Sequence, residues 1–273
     1  MIHDLYERAW RGALGAQKIF MRRTAEVGVI AGHSHLVAFG VPLRTEDGHL
    51  TLTSVNPGKD DFLCLNGPFP RDENYWLEAE KLAAAHPLFI YWHGNQHMAA
   101  HLFASDPPLD FVLSDDPSFP IANDSVLIPE EMLREEFAQF VPSFDQLDAL
   151  LKRVMGATHR GIFVCGTPPP KEDTAAMRAS LGREAHFVER LAALRTSPDA
   201  IPLTPPLILY KMWRVIQNML RDVAQKNGAQ FLPIPPEAQT PDGFLRKECW
   251  SSDVTHANSN LGRLILPRLR KCL

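Results

Sequence analysis

Five short apolar runs constrain this chain more than any other feature: Val27-Gly28-Val29-Ile30-Ala31, Phe62-Leu63-Cys64-Leu65, Leu88 to Trp92, Gly161 to Cys165, and Gln230-Phe231-Leu232-Pro233-Ile234. A strand with one solvated face alternates apolar and polar residues. These runs are apolar at successive positions and read as strands buried on both faces. Between them the apolar period changes to three and four, the mark of amphipathic helices. Such strands alternating with helices define an α/β chain whose parallel sheet is covered on both sides.

The helical stretches follow from spacing and punctuation. One opens the chain over Leu5 to Phe20, within a segment 1–24 expected to pack on the rest. A second runs from Asp72, a capping residue, to Ala85. Residues 129–155 form two helical pieces broken at Val141-Pro142-Ser143, and further helices are expected over 172–195, 207–227 and Leu261 to Leu269. Val41 to Val55 reads as two extended pieces around a turn at Thr45-Glu46-Asp47-Gly48. Phe103 to Pro129 lacks a pattern and reads as a loop over the site or a plain surface connection. With no repeat and no long linker, residues 1–273 are expected to form a single domain.

Composition narrows the function classes. A formal charge of -4 gives no basic surplus for a nucleic-acid partner, and none is expected. The four cysteines, Cys64, Cys165, Cys249 and Cys272, lie far apart, without the paired spacing of a structural zinc site. No stretch reaches the roughly 18 apolar residues of a membrane span. The N-terminal residues interleave charges with apolar positions where a signal peptide needs an unbroken apolar core. The expectation is a soluble, cytoplasmic protein.

In open α/β sheets ligands bind beyond the carboxyl ends of the strands. Those ends carry Gly32-His33-Ser34-His35, Asn66-Gly67 and His93-Gly94-Asn95-Gln96-His97, and Asp253-Val254-Thr255-His256-Ala257-Asn258 stands before the closing helix. Together they hold the parts of an acyl-transfer site. A serine hydroxyl needs an adjacent base. His256 would take the Ser34 proton while Asp253 orients the imidazole and stabilises its cation. The Ser34 and Gly67 backbone amides and the Asn95 side-chain amide would face the developing oxyanion.

The chain resembles the SGNH/GDSL hydrolases, which carry a serine after the first strand, a glycine after the second, an asparagine after the third and D-x-x-H near the end. Ser34, Gly67, Asn95 and Asp253-Val254-Thr255-His256, with Gly262 further on, stand in that order, and the likeness spans Val27 to the C-terminus. It implies a flavodoxin-like three-layer α/β/α sandwich and an esterase acting on an acetyl ester of a carbohydrate or another small acyl ester. It implies catalytic Ser34, Asp253 and His256, oxyanion donors Ser34, Gly67 and Asn95, and no cofactor. Two departures stand out: Gly32-His33-Ser34 replaces G-D-S, and His93-Gly94-Asn95-Gln96 replaces G-x-N-D, the G-N-x-H form of a variant subgroup.

Other readings stay open. Ser34 could be a loop hydroxyl, Asn95 a helix cap and Gly67 a turn residue. His33 and His97 flank the site and either bond loop carbonyls or touch substrate. His93, His97 and His101 at intervals of four, with His33-x-His35, suggest a metal-dependent hydrolase, although Gly94 replaces the glutamate of the zinc-protease motif. The same triad would serve an acyltransferase, and a silent ligand-binding module is a further alternative. Oligomeric state is not encoded in any pattern here.

Overall fold

The computed structural model describes residues 26–55, 60–157 and 160–273. The expected helix over Leu5 to Phe20, and the whole 1–24 segment, lie outside them. The strands are β1 (Gly28–Gly32), β2 (Thr51–Ser54), β3 (Phe62–Asn66), β4 (Leu88–Tyr91), β5 (Leu109–Asp110), β6 (Val126–Leu127), β7 (Ile162–Cys165) and β8 (Gln230–Leu232). The helices are α1 (Glu73–Ala83), α2 (Gln96–His101), α3 (Glu130–Gln139), α4 (Phe144–Ala157), α5 (Thr174–Ser180), α6 (Ala185–Ala193), α7 (Pro206–Lys226) and α8 (Ser259–Arg270).

Six strands form one sheet in the order β2-β3-β1-β4-β7-β8, and only the edge strand β2 runs antiparallel. Numbered among themselves, the parallel strands follow the 2-1-3-4-5 order, whose switch point falls between the first and third. Here that gap is the one between β1 and β4. The expected α/β class with a central parallel sheet is observed.

Alternation of side chains along the buried strands feeds two cores. Val29, Ala31, Leu88, Ile90, Ile162 and Val164 face α1, α3, α4 and α7. Ile30, Cys64, Phe89, Tyr91, Phe163 and Cys165 face α8 and the 3-10 helix Ser34–Phe39. Continuous apolar runs are what such two-sided burial requires. Helix α7 supplies Ile208, Met212, Val215, Ile216, Met219 and Leu220 to the first core at helical spacing.

Several local expectations hold. Asp72 caps α1 by accepting from the Tyr75 amide at 2.9 Å. The break at Val141-Pro142-Ser143 separates α3 from α4. Others are corrected. The stretch 172–195 is two helices, interrupted by a 3-10 turn at Leu181–Arg183 and extended backbone at Glu184. Of the two extended pieces expected in 41–55, only β2 forms. Strand β8 stops before Pro233, which has no amide to continue the ladder.

The segment 103–129 is anchored on α7. Asp110 and Lys211 form a wholly buried ion pair, and Asp110 also accepts from the Phe111 and Ala122 amides, each at 2.7 Å. Arg214 and Asn218 both bond Asp115, at 2.8 and 2.9 Å. The segment is therefore a fixed connection.

Candidate active site

The nucleophile candidate stands at the first position of a 3-10 helix fed directly by β1. The turn before it is held from several sides. Gly32 N–H donates to the Tyr75 hydroxyl at 2.8 Å, Gly32 C=O accepts from Arg71 Nε at 3.0 Å, and His33 N–H bonds Tyr91 C=O at 3.0 Å. Among the described residues no carboxylate pairs with the buried Arg71. Its guanidinium also reaches the Gly67 and Pro68 carbonyls and Asn66 Oδ1 at 2.7 to 3.0 Å. It thereby ties the ends of β1 and β3 together. Ser34 itself is half-buried.

Asn95 leads into α2, but its side chain makes no capping hydrogen bond, so the helix-cap reading does not apply. The glycine before it has a steric cause. A Cβ on Gly94 would lie 2.3 Å from Thr167 Oγ1. Thr167 cannot give way readily, being bonded by Gln217 at 2.9 and 3.1 Å and by Trp213 Nε1 at 3.0 Å. The Gly94-Asn95 pairing that departs from the family pattern therefore lets this turn lie against β7's continuation. Because α2 begins at Gln96, His93 lies outside it, and His101 pairs with Glu136 at 3.1 Å. The described residues contain no group of three or more His, Cys, Asp or Glu arranged to hold a metal ion.

Asp253 and His256 meet as the D-x-x-H spacing suggests. His256 Nδ1 is 3.0 Å from Asp253 Oδ2, and the His256 amide donates to Asp253 Oδ1 at 2.8 Å. Burial alone would raise the Asp253 pKa, but these bonds and the Lys171 ammonium outweigh it and bring it down to about 2. His256 Nε2 is buried without a hydrogen-bond partner. No hydrogen bond joins it to Ser34 Oγ in this conformation. Such bonds are often long before substrate arrives and tighten in the complex.

The two halves of the site touch through their supports. Helix α8, which follows the Asp253–His256 segment, crosses the Ser34 helix so closely that a Cβ on Gly262 would lie 2.1 Å from Ala38 C=O. The His35 and His256 rings are 6.1 Å apart.

Imidazoles crowd this region, and burial keeps them neutral. Burial, aided by His93 and Arg71, pushes His33 down to about 3, and burial, aided by His256, takes His93 to about 4. Burial with the neighbouring His101 takes His97 to about 3, and His35 lies well below the ordinary imidazole value. His33 Nε2 and both ring nitrogens of His35 have no hydrogen-bond partner among the described residues. His33 packs edge-on against Trp92 with ring centres 5.0 Å apart.

Gly67 sits at the expected strand end, but its N–H donates to Asn66 Oδ1 at 2.9 Å. Beside His33 and His93 opens a cavity of about 400 Å³, walled by Phe69, Trp76, Trp92, Val141 and Leu150. Three of its four charged rim residues are engaged: Arg71 on the four oxygens named above, Asp72 on the α1 cap, Arg153 on Glu80 at 3.1 Å; the fourth, Glu73, is largely exposed and 3.9 Å from Arg153. Trp92 and Phe39 are core residues, only 2% and 8% exposed.

Three charged residues that carry no signal in the sequence hold the 251–256 loop. Lys171 Nζ donates to the Ser251 carbonyl at 2.9 Å and to the Asp253 carbonyl. Arg183 donates to Ser252 C=O at 3.0 Å, and Glu184 accepts from the Val254 amide at 2.7 Å. Gly182, inside an otherwise helical stretch, is the one available pointer to a break there.

No protein-family model and no curated protein matches the chain. Among solved structures it is similar to a phospholipase A1 from Streptomyces albidoflavus, at 12% identity and a TM-score of 0.47, over 92% of this chain and 100% of that one. It is also similar to an extracellular lipase from Streptomyces rimosus, at 14% identity and a TM-score of 0.46, over 91% of this chain and 100% of that one. Likenesses this distant assign no role to any residue. Among the described residues no helix is long and apolar enough to cross a membrane.

Proposed function

We propose that the protein is a serine hydrolase that cleaves an acyl ester through an acyl-enzyme on Ser34. The observation that carries this reading is the Asp253–His256 pair. Its Nδ1 side is bonded at 3.0 Å, its Nε2 is without a partner, and its supporting helix lies directly on the Ser34 helix.

In the first step Ser34 Oγ attacks the ester carbonyl and His256 Nε2 takes the hydroxyl proton. Asp253 stabilises the imidazolium that forms. The Ser34 amide and the Asn95 side-chain amide then donate to the oxyanion. Gly67 adds a third donor only by releasing Asn66. His256 returns the proton to the leaving alcohol. In the second step it deprotonates water, which attacks the acyl-enzyme, and it then gives that proton to Ser34 Oγ as the acid leaves. No cofactor enters this scheme.

Covalent labelling by an organophosphonate fluoride, mapped by peptide mass, tests the assignment. The adduct belongs on Ser34; an adduct on another serine overturns it.

The cavity beside His33 is the place for the substrate's acyl group. Its walls are mostly apolar, three of its four charged rim residues are engaged, and the exposed Glu73 disfavours an anion, so it suits an uncharged group. About 400 Å³ lies toward the small end of ligand pockets, which favours a single acyl chain of modest length. Ala149→Trp, on the cavity wall, is expected to lower kcat/KM for hexanoyl or octanoyl esters by about 10- to 100-fold and to spare acetyl esters. An unchanged chain-length profile would place the acyl group elsewhere.

A further inference from the structure

The geometry points to Glu184 as a positioning residue for the catalytic base: through the Thr255 hydroxyl it builds a second acceptor for the His256 Nδ1–H, parallel to Asp253. The inference rests on the reading of His256 as the base. Its ground is the direction of a short hydrogen-bond chain.

Thr255 Oγ1 lies 2.8 Å from Glu184 Oε2 and 3.0 Å from His256 Nδ1. A carboxylate only accepts, so the single hydroxyl hydrogen goes to Glu184. That leaves an oxygen lone pair toward the imidazole, and Nδ1 must carry the proton. Asp253 Oδ2, at 3.0 Å from the same nitrogen, demands the same tautomer. Two carboxylates, one direct and one relayed, thus agree on Nδ1–H and leave Nε2 as the free base. Second-layer partners of this kind commonly fix which nitrogen of a histidine is protonated.

Glu184 also has a purely structural duty, because its other oxygen accepts from the Val254 and Thr255 amides at 2.7 and 3.2 Å. The test must separate the two. Thr255→Val keeps those backbone bonds and removes only the relay, while Thr255→Ser keeps both.

In the full chain, Thr255→Val is expected to lower kcat on a short p-nitrophenyl ester by about five- to tenfold, the worth of one hydrogen bond to a group that becomes charged, with KM unchanged. Thr255→Ser should hold near native activity. The loss should be larger in an Asp253→Ala background, where the relay is the sole acceptor. Nitrogen NMR of the His256 ring, assigned by difference against His256→Ala, should show a perturbed Nδ1 signal in Thr255→Val.

Native kcat and an unchanged Nδ1 signal in Thr255→Val, beside a damaged Glu184→Gln, would overturn the relay and leave Glu184 as a loop anchor. If His256→Ala itself keeps activity, the base assignment fails instead. The ring spectrum then decides the Thr255 bond by itself.

Discussion

Ser34→Ala is expected to lower kcat on short-chain p-nitrophenyl esters by about 10⁴- to 10⁶-fold, with little change in KM. The size follows from the role proposed for the hydroxyl, which would form the covalent bond to the acyl group. The proposed oxyanion donors and acyl cavity would remain, so binding should persist while the chemistry stops. His256→Ala should fall nearly as far, because groups acting as one unit fail together. Robust hydrolysis by Ser34→Ala, or inhibition by chelators alone, would remove the serine mechanism.

A second large effect concerns acid. His33, His35, His93 and His97 are buried with pKa values below the 6.5 of an exposed imidazole. The unfolded chain therefore binds more protons than the folded one. The stability tied to their neutral forms is complete above about pH 6.5 and is lost as the pH falls below it. Four such groups together remove roughly 5 kcal/mol per pH unit. Against a typical total of about 5–15 kcal/mol, cooperative unfolding is expected near about pH 5, read by tryptophan fluorescence and circular dichroism. His97→Gln should make the acid transition shallower. A fold that survives intact to about pH 3 would show that these rings find partners when charged.

How much of this could be read in advance depends on the range of the forces involved. The buried strands were legible because two-sided burial leaves an unbroken apolar run, as in Phe62 to Leu65 and Leu88 to Tyr91. The Asp72 cap was legible because a cap acts within three residues. The pairing of Asp253 with His256 was legible for the same reason: it closes within one turn of chain.

What escaped was set by partners distant in sequence. Nothing near Lys171 or Glu184 announces a bond to the backbone some seventy to eighty residues away, since a lone charge looks alike whether solvated or clamped. Gly67 illustrates the other limit. Its place at the strand end could be read, but the engagement of its amide depends on where the neighbouring Asn66 side chain turns. The interrupted helix at 181–184 joins both cases, because Glu184 leaves the helical path where its carboxylate meets the 251–256 loop.

The close crossing of Gly262 over Ala38 gives the last helix a weight beyond packing. Proteins open in cooperative pieces well before they unfold as a whole. If α8 lifts away, the base leaves with it while the sheet that carries Ser34 stays hydrogen-bonded. In rising urea, then, turnover should fall at lower concentration than the far-ultraviolet signal. Amide protons of α8 should exchange faster than those of β1 and β4. The proposed activity would then be switched off by melting one helix, a reversible loss that precedes the unfolding of the sheet.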